Sequence, residues 1–178
     1  METLGDFTKK NDYFKVKGAD NMFRDMRRHK QAVSERECLD ILHLAKRGVL
    51  SVIGDEGYPY GVPMDFVYND ADGKIYFHCA KEGHKLDAIK SCGKVCFTTW
   101  NDGCQKEDWS WYITSVIVFG RAELVTDRET ALDAARRLGL KYFPTVEEVD
   151  TEIEKAFSRV QMVALTIEHM TGKLVHEK

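Results

Sequence analysis

The apolar positions of this chain fall mostly on short two-residue or unbroken repeats, and four stretches follow the helical period instead. The first helical stretch opens at Ser34, which has Glu37 three residues on, the spacing of a capping box. Cys38, Ile41, Leu42 and Ala45 then recur on one face, and Gly48 is placed to terminate the helix. Residues 49–53 are short, apolar and β-branched, and 54–57 read as a turn. The extended chain continues through 58–62 and 64–68 across Pro63, whose missing amide predicts an edge, a bulge or a break in pairing. After a turn at 69–73, residues 74–79 form another strand. A short helix from Gly83 or His84 to Ser91 buries Leu86 and Ile89.

Residues 95–100 read as a strand, 101–110 as a polar loop and 111–125 as a long strand. Two helices follow. Asp127 is the expected N-cap of the first, with Gly139 beyond its end; Thr145 and Glu148 box the second, with Val149, Ile153 and Ala156 on its buried face. Residues 160–167 make a final core strand, and the polar tail pairs as an edge. About six strands at hairpin spacing with few helices predict a mainly β protein with flanking helices, built on a small closed or partly closed antiparallel barrel.

Composition narrows the function classes. The chain has 178 residues, 43% apolar and 31% charged, which is a globular balance. Lys and Arg number 26 against 29 for Asp and Glu, so no basic excess favours nucleic acid. The apolar runs are far shorter than the roughly 20 residues of a membrane span. The polar N-terminus lacks the apolar centre of a signal peptide, and the expected location is cytoplasmic. Five cysteines (38, 79, 92, 96 and 104) without a C-x-x-C pair read as reduced thiols. Cys92 and Cys96 alone supply too few ligands for zinc, so no metal is expected. Residues 1–30 read as an N-terminal arm and 31–178 as one domain. Arg24, Arg27, Arg28, His29 and Lys30 form a basic cluster in that arm, either solvated or laid over a partner subunit with Phe23 and Met26 as anchors.

No G-x-G-x-x-G, Walker lysine motif, G-x-S-x-G elbow or H-E-x-x-H occurs. The richest segment is 76–86, where a strand ends, a glycine turn follows, and His84 and Lys85 open a helix. Helix N-terminal amides offer free donors and partial positive charge, so this start suits a phosphate; the alternative is a solvated basic pair. His78 reads either as a core or interface residue or as a catalyst, and Cys79 points to the opposite face of the same strand. Trp109 and Trp111 project to one side if their stretch is extended, as core or interface packing or as a flat wall against an aromatic ligand.

Three strings together, Gly57-Tyr58-Pro59-Tyr60-Gly61-Val62-Pro63-Met64, Lys74-Ile75-Tyr76-Phe77-His78 and Gly83-His84-Lys85-Leu86-Asp87-Ala88-Ile89, resemble the 5-nitroimidazole resistance (Nim) proteins. These belong to the pyridoxamine 5′-phosphate oxidase-like flavin-binding split barrels. The resemblance runs from about Phe23 to about Thr126. It implies a homodimer of six-stranded antiparallel split barrels with a flavin, FMN or else FAD, in clefts between subunits. It assigns Pro63, Met64, Asp65, Phe66, Val67 and Tyr68 to the strand passing the flavin. His78 and Cys79 fall on its neighbour, His84 and Lys85 on the phosphate, and Ser115 on a polar flavin contact. The oxidases carry arginines where this chain has Pro63 and His84, so vitamin B6 oxidation is not the expectation. The Nim-like His78 implies a flavin-dependent nitroreductase acting on small aromatic substrates, with His78 catalytic and Trp109 or Trp111 walling the substrate cleft. The rival expectation is a flavin- or haem-binding protein of the same fold without rapid turnover.

Overall fold

The capping box at Ser34 forms as its spacing predicts. The Ser34 hydroxyl accepts from the Glu37 amide at 3.3 Å, and the Glu37 carboxylate accepts from the Ser34 amide at 2.8 Å. The structure, a computed structural model, describes residues 22–177. In it α1 (Glu35–Leu44) buries Cys38, Ile41 and Leu42 and ends in extended backbone at Ala45. Gly48 therefore does not terminate the helix. It lies within β1 (Arg47–Ile53), where any side chain would overlap the Phe97 ring.

The remaining elements are β2 (Pro59–Asn69), β3 (Lys74–Ala80), α2 (His84–Ser91), β4 (Lys94–Trp100), the two-residue β5 (Cys104–Gln105), β6 (Trp111–Leu124), α3 (Arg128–Leu140), α4 (Val146–Ala156) and β7 (Val160–Glu177). The strands run β4-β1-β2-β3-β7-β6, all neighbours antiparallel, and β4 pairs back onto β6. Six strands thus close into a ring, an antiparallel split β-barrel, with β5 an extra pairing on β6.

The split follows from where β2 changes partner. Residues Pro59 to Asp65 pair with β1, whereas Phe66 to Asn69 pair with β3. β3 runs on past Phe77 to Ala80, paired only with β7. Pro63 interrupts nothing, because it sits opposite Val49 in a stretch of β2 that has no partner on its β3 side.

Alternation sends Leu50, Met64, Phe66, Phe77, Phe97, Val118 and Leu165 into the barrel core. Phe97 meets Phe66 edge-on at 4.8 Å and Phe77 at 5.1 Å. α1 packs into the end where β1 begins, and α2 buries Leu86, Ala88 and Ile89 from the end where it finishes. Outside the barrel, Ala131, Ala134 and Leu138 of α3 cover Tyr76, Met162 and Ala164.

Asp127 caps α3, accepting from the Thr130 amide at 2.8 Å. Gly139 lies in the last turn of α3 rather than beyond it, and glycine fits there because a β-carbon would stand 2.7 Å from Val149 Cγ1 of α4. The tail is no edge either. β7 is one strand of 18 residues that pairs along β6 as far as Trp111. A register shift leaves Glu168 as a bulge, with its carboxylate 3.0 Å from Arg121.

Lys141, after α3, donates to the Leu42 carbonyl at 3.1 Å and stands 4.0 Å from the Phe66 ring centroid. Burial pushes its ammonium down to about 8; Asp65 opposes the shift and Lys46 adds to it. An unfolded lysine keeps its proton to about pH 10.4. Between those values the unfolded chain binds more protons, so this residue makes stability rise with pH. Lys141→Met removes that rise. Urea unfolding at pH 7 and pH 10 is expected to show the wild type gaining on the variant at the higher pH, and a constant difference would contradict the assignment.

Candidate functional site

The gap between β2 and β3 lies beside the start of α2. Gly83, the residue before the helix, has φ 126°, a region suited to glycine, and no side chain caps the helix. The Gly83 carbonyl accepts from the Leu86 and Asp87 amides at 2.9 and 3.2 Å. The His84 and Lys85 amides have no partner among the described residues. These free donors, with the helix dipole behind them, make an anion seat.

Lys85 Nζ reaches Met64 Sδ at 3.2 Å, so the one full positive charge of this helix start stands across the gap from β2. Cys79 points inward on β3 and its thiol donates to the Gln161 carbonyl at 3.6 Å. Burial pushes that thiol up, while Lys85 pulls the other way. His78, one residue earlier, faces outward and is exposed, opposite Met162 of β7.

The His84 ring stacks on Tyr60 with centroids 4.4 Å apart. Its Nε2 accepts from the Asp55 amide at 3.3 Å and faces the Asp55 carboxylate at 3.6 Å. The tight turn at Asp55–Gly57 thus holds His84 in place. Sequence reasoning missed Asp55 and Tyr60 as positioning residues. The signal available was the aromatic Gly57-Tyr58-Pro59-Tyr60 string that precedes β2.

Along β2 the side chains divide. Met64 and Phe66 are buried and Tyr68 is packed against the core. Asp65, on the outer face, pairs with Arg47 at 3.0 Å, and Val67 packs under α3. The Phe66 amide donates to Tyr142 Oη at 3.2 Å. A ligand on the outer surface meets Met64, Phe66 and Tyr68 by main chain only. Pro63, Asp65, His78, His84 and Lys85 are the predicted residues gathered at the gap.

Ser115 is not among them. It lies on the outer side of β6, opposite Trp100 and Lys173, with β1 and β4 between it and β2. One outward row runs across these strands: Pro63 opposite Val49, Val49 opposite Thr98, Thr98 opposite Ile117. Trp100, Ile117 and Phe119, all exposed, make the far part of this face apolar.

Trp109 and Trp111 do not lie side by side on one extended stretch. The Lys106 amide donates to the Ser110 carbonyl and the Trp109 amide to that of Lys106, both at 3.0 Å, so the chain turns here to pair β5 with β6. Trp109 has φ 64° and is 79% exposed at the tip, while Trp111 opens β6. Phe23 of the arm stacks on His169 of its own chain at 4.6 Å, and on Phe119 at 5.6 Å. Met26 is half-buried. Arm residues 1–21 lie outside the described residues. Among the described residues no helix is long and apolar enough to cross a membrane, and no group of three metal-ligating side chains converges.

A family model described as pyridoxamine 5′-phosphate oxidase matches residues 34–174. No curated protein matches the sequence. Among solved structures, a candidate 5-nitroimidazole antibiotic resistance protein from Bacteroides thetaiotaomicron is 22% identical with a TM-score of 0.68, over 82% of this chain and 87% of that one. A conserved hypothetical protein from Mycobacterium tuberculosis is 19% identical with a TM-score of 0.71, over 84% and 90%. The FAD-binding protein of Mycobacterium smegmatis is 20% identical with a TM-score of 0.61, over 83% and 99%.

Proposed function

We propose, since this chain belongs to the pyridoxamine 5′-phosphate oxidase family, that it is a flavin-dependent oxidoreductase, working as a homodimer on nitroaromatic compounds of the 5-nitroimidazole kind. The observation that carries the reading is the β2–β3 gap with the uncapped start of α2 and Lys85 beside it. Solved structures of the same fold include an FAD-binding protein and a candidate nitroimidazole resistance protein, which supports the flavin and the substrate class.

The residues fit a flavin at its phosphate end. A β-carbon built on Gly83 meets nothing within 4 Å, so the space before the helix is open to a ligand. The His84 and Lys85 amides and the Lys85 ammonium would hold the phosphate, and Asp55 and Tyr60 fix the His84 ring against the Asp55–Gly57 turn. FMN is the flavin we assign, and the same seat accepts the first phosphate of FAD. When bound, a reduced flavin supplies two electrons to an acceptor such as a nitro group. The protein would orient that acceptor. His78, outward on β3, holds a proton at its imidazole for transfer to the acceptor.

In one chain β1 and β4 lie between this gap and Ser115 with the apolar Trp100–Ile117 face, and a second copy would bring that face to the gap. An exposed apolar face of this kind is what a homodimer covers. His78→Gln is expected to slow turnover about tenfold with flavin affinity unchanged, below the usual range for a proton donor because water reaches this exposed position and can take its place. Stopped-flow turnover beside a flavin titration separates the two effects, and full activity retires the proton role.

The reading is tested by reducing the flavin-loaded protein with dithionite under anaerobic conditions. Adding a 5-nitroimidazole is expected to reoxidise it, whereas the same ring without its nitro group leaves it reduced. A reduced form indifferent to both would leave a flavin-binding protein without this activity.

A further inference from the structure

The α3–α4 junction turns Leu140, Phe143 and Val146 outward, 47%, 41% and 46% exposed. Beside them Phe143, Pro144, Glu147, Glu148, Thr151 and Glu152, with Lys155 at one end, line an open groove of about 520 Å³. Glu148 and Glu152 stand one helical turn apart, where like charges repel. Among the described residues the α4 carboxylate held in an ion pair is that of Asp150, by Arg136 at 2.6 Å. This ledge suits a segment that carries positive charge beside an apolar anchor.

The chain supplies such a segment itself. Arg24, Arg27, Arg28 and Lys30 are exposed, close in sequence to Met22, which is 66% exposed. The segment is fixed on the β6–β7 face by the Phe23–His169 stack and by the bridge of Ala32 to Lys173. The ledge lies elsewhere, on the α3–α4 pair, of which α3 covers β3 and β7 from outside. Among the described residues no ion pair joins the two within one protomer.

We infer that the basic segment Arg24–Lys30 of one copy docks on the acidic, apolar α3–α4 ledge of a second copy, reciprocally about a twofold axis. Each chain carries both complementary halves, so one symmetric contact satisfies both sets of charges at once. This contact rests on the homodimer reading and adds a charge-specific lock outside the flavin gap.

The test uses two double variants of the whole chain, Arg27→Glu with Arg28→Glu, and Glu148→Lys with Glu152→Lys. All four side chains are exposed, and circular dichroism checks that both variants fold. Sedimentation equilibrium is expected to show each variant dimerising about tenfold more weakly than the wild type. An equal mixture is expected to regain wild-type affinity, because in the mixed dimer both contacts again join opposite charges. A dimer indifferent to both reversals, or a mixture no tighter than its components, overturns the contact and leaves the homodimer standing. A wild-type chain that stays monomeric overturns the homodimer as well. Flavin absorbance in the same samples reports the cofactor reading independently.

Discussion

Lys85→Glu is expected to weaken FMN binding about a thousandfold while leaving the fold intact. A charge-assisted hydrogen bond contributes about 1.5–3 kcal/mol, and reversing the charge replaces that attraction with a repulsion of similar size. Two such contributions amount to roughly three orders of magnitude at 1.4 kcal/mol per decade. Nothing comparable is lost from the protein itself, since among the described residues the Lys85 ammonium meets only the Met64 sulfur, a weak acceptor. Riboflavin, which lacks the phosphate, sharpens the test. The wild type should prefer FMN strongly, and the variant should bind the two alike. Fluorescence titration of the flavin-free protein measures both, and a variant that still prefers FMN would place the phosphate elsewhere.

Phe97→Ala is expected to lower stability by about 3–5 kcal/mol, the usual cost of emptying a buried aromatic site. Phe97 is fully buried, meets Phe66 and Phe77 edge-on, and lies against Gly48 across the β1–β4 pairing. It therefore touches three of the six barrel strands besides its own. Native domains hold about 5–15 kcal/mol in total, so the variant should melt roughly 10 °C or more below the wild type. Phe97→Leu keeps most of the volume and should lose less than half as much. Urea unfolding decides it. A loss under about 1 kcal/mol would mean that the barrel centre is not packed on this ring.

The elements were legible because their signals are local. The Ser34 and Asp127 caps and the start of α2 each depend on residues within a single turn. Alternation separated His78 from Cys79 for the same reason, the strand period being two. The glycines were misread because Gly48 and Gly139 look like helix terminators in sequence, while their actual cause is a neighbour distant along the chain, Phe97 in one case and Val149 in the other. Trp109 was misread because alternation assumes an extended chain, and the turn between β5 and β6 breaks that assumption.

At the site, the phosphate-suited helix start could be read from Gly83, His84 and Lys85 alone. The hold of Asp55 and Tyr60 on His84 could not, because it depends on a turn from the other side of the barrel end. The separation of Ser115 from the gap was hidden too. It follows from the pairing of β1 with β4, in which residues far apart in sequence such as Gly48 and Thr99 meet and which no local pattern encodes.

The most direct measurement is the absorbance spectrum of the purified protein, followed by heat release and chromatography of whatever chromophore it carries. The account predicts flavin bands in the blue and near-ultraviolet, with FMN released at about one equivalent per chain. A colourless protein that also fails to bind added FMN or FAD would contradict the assignment of the β2–β3 gap as a flavin site.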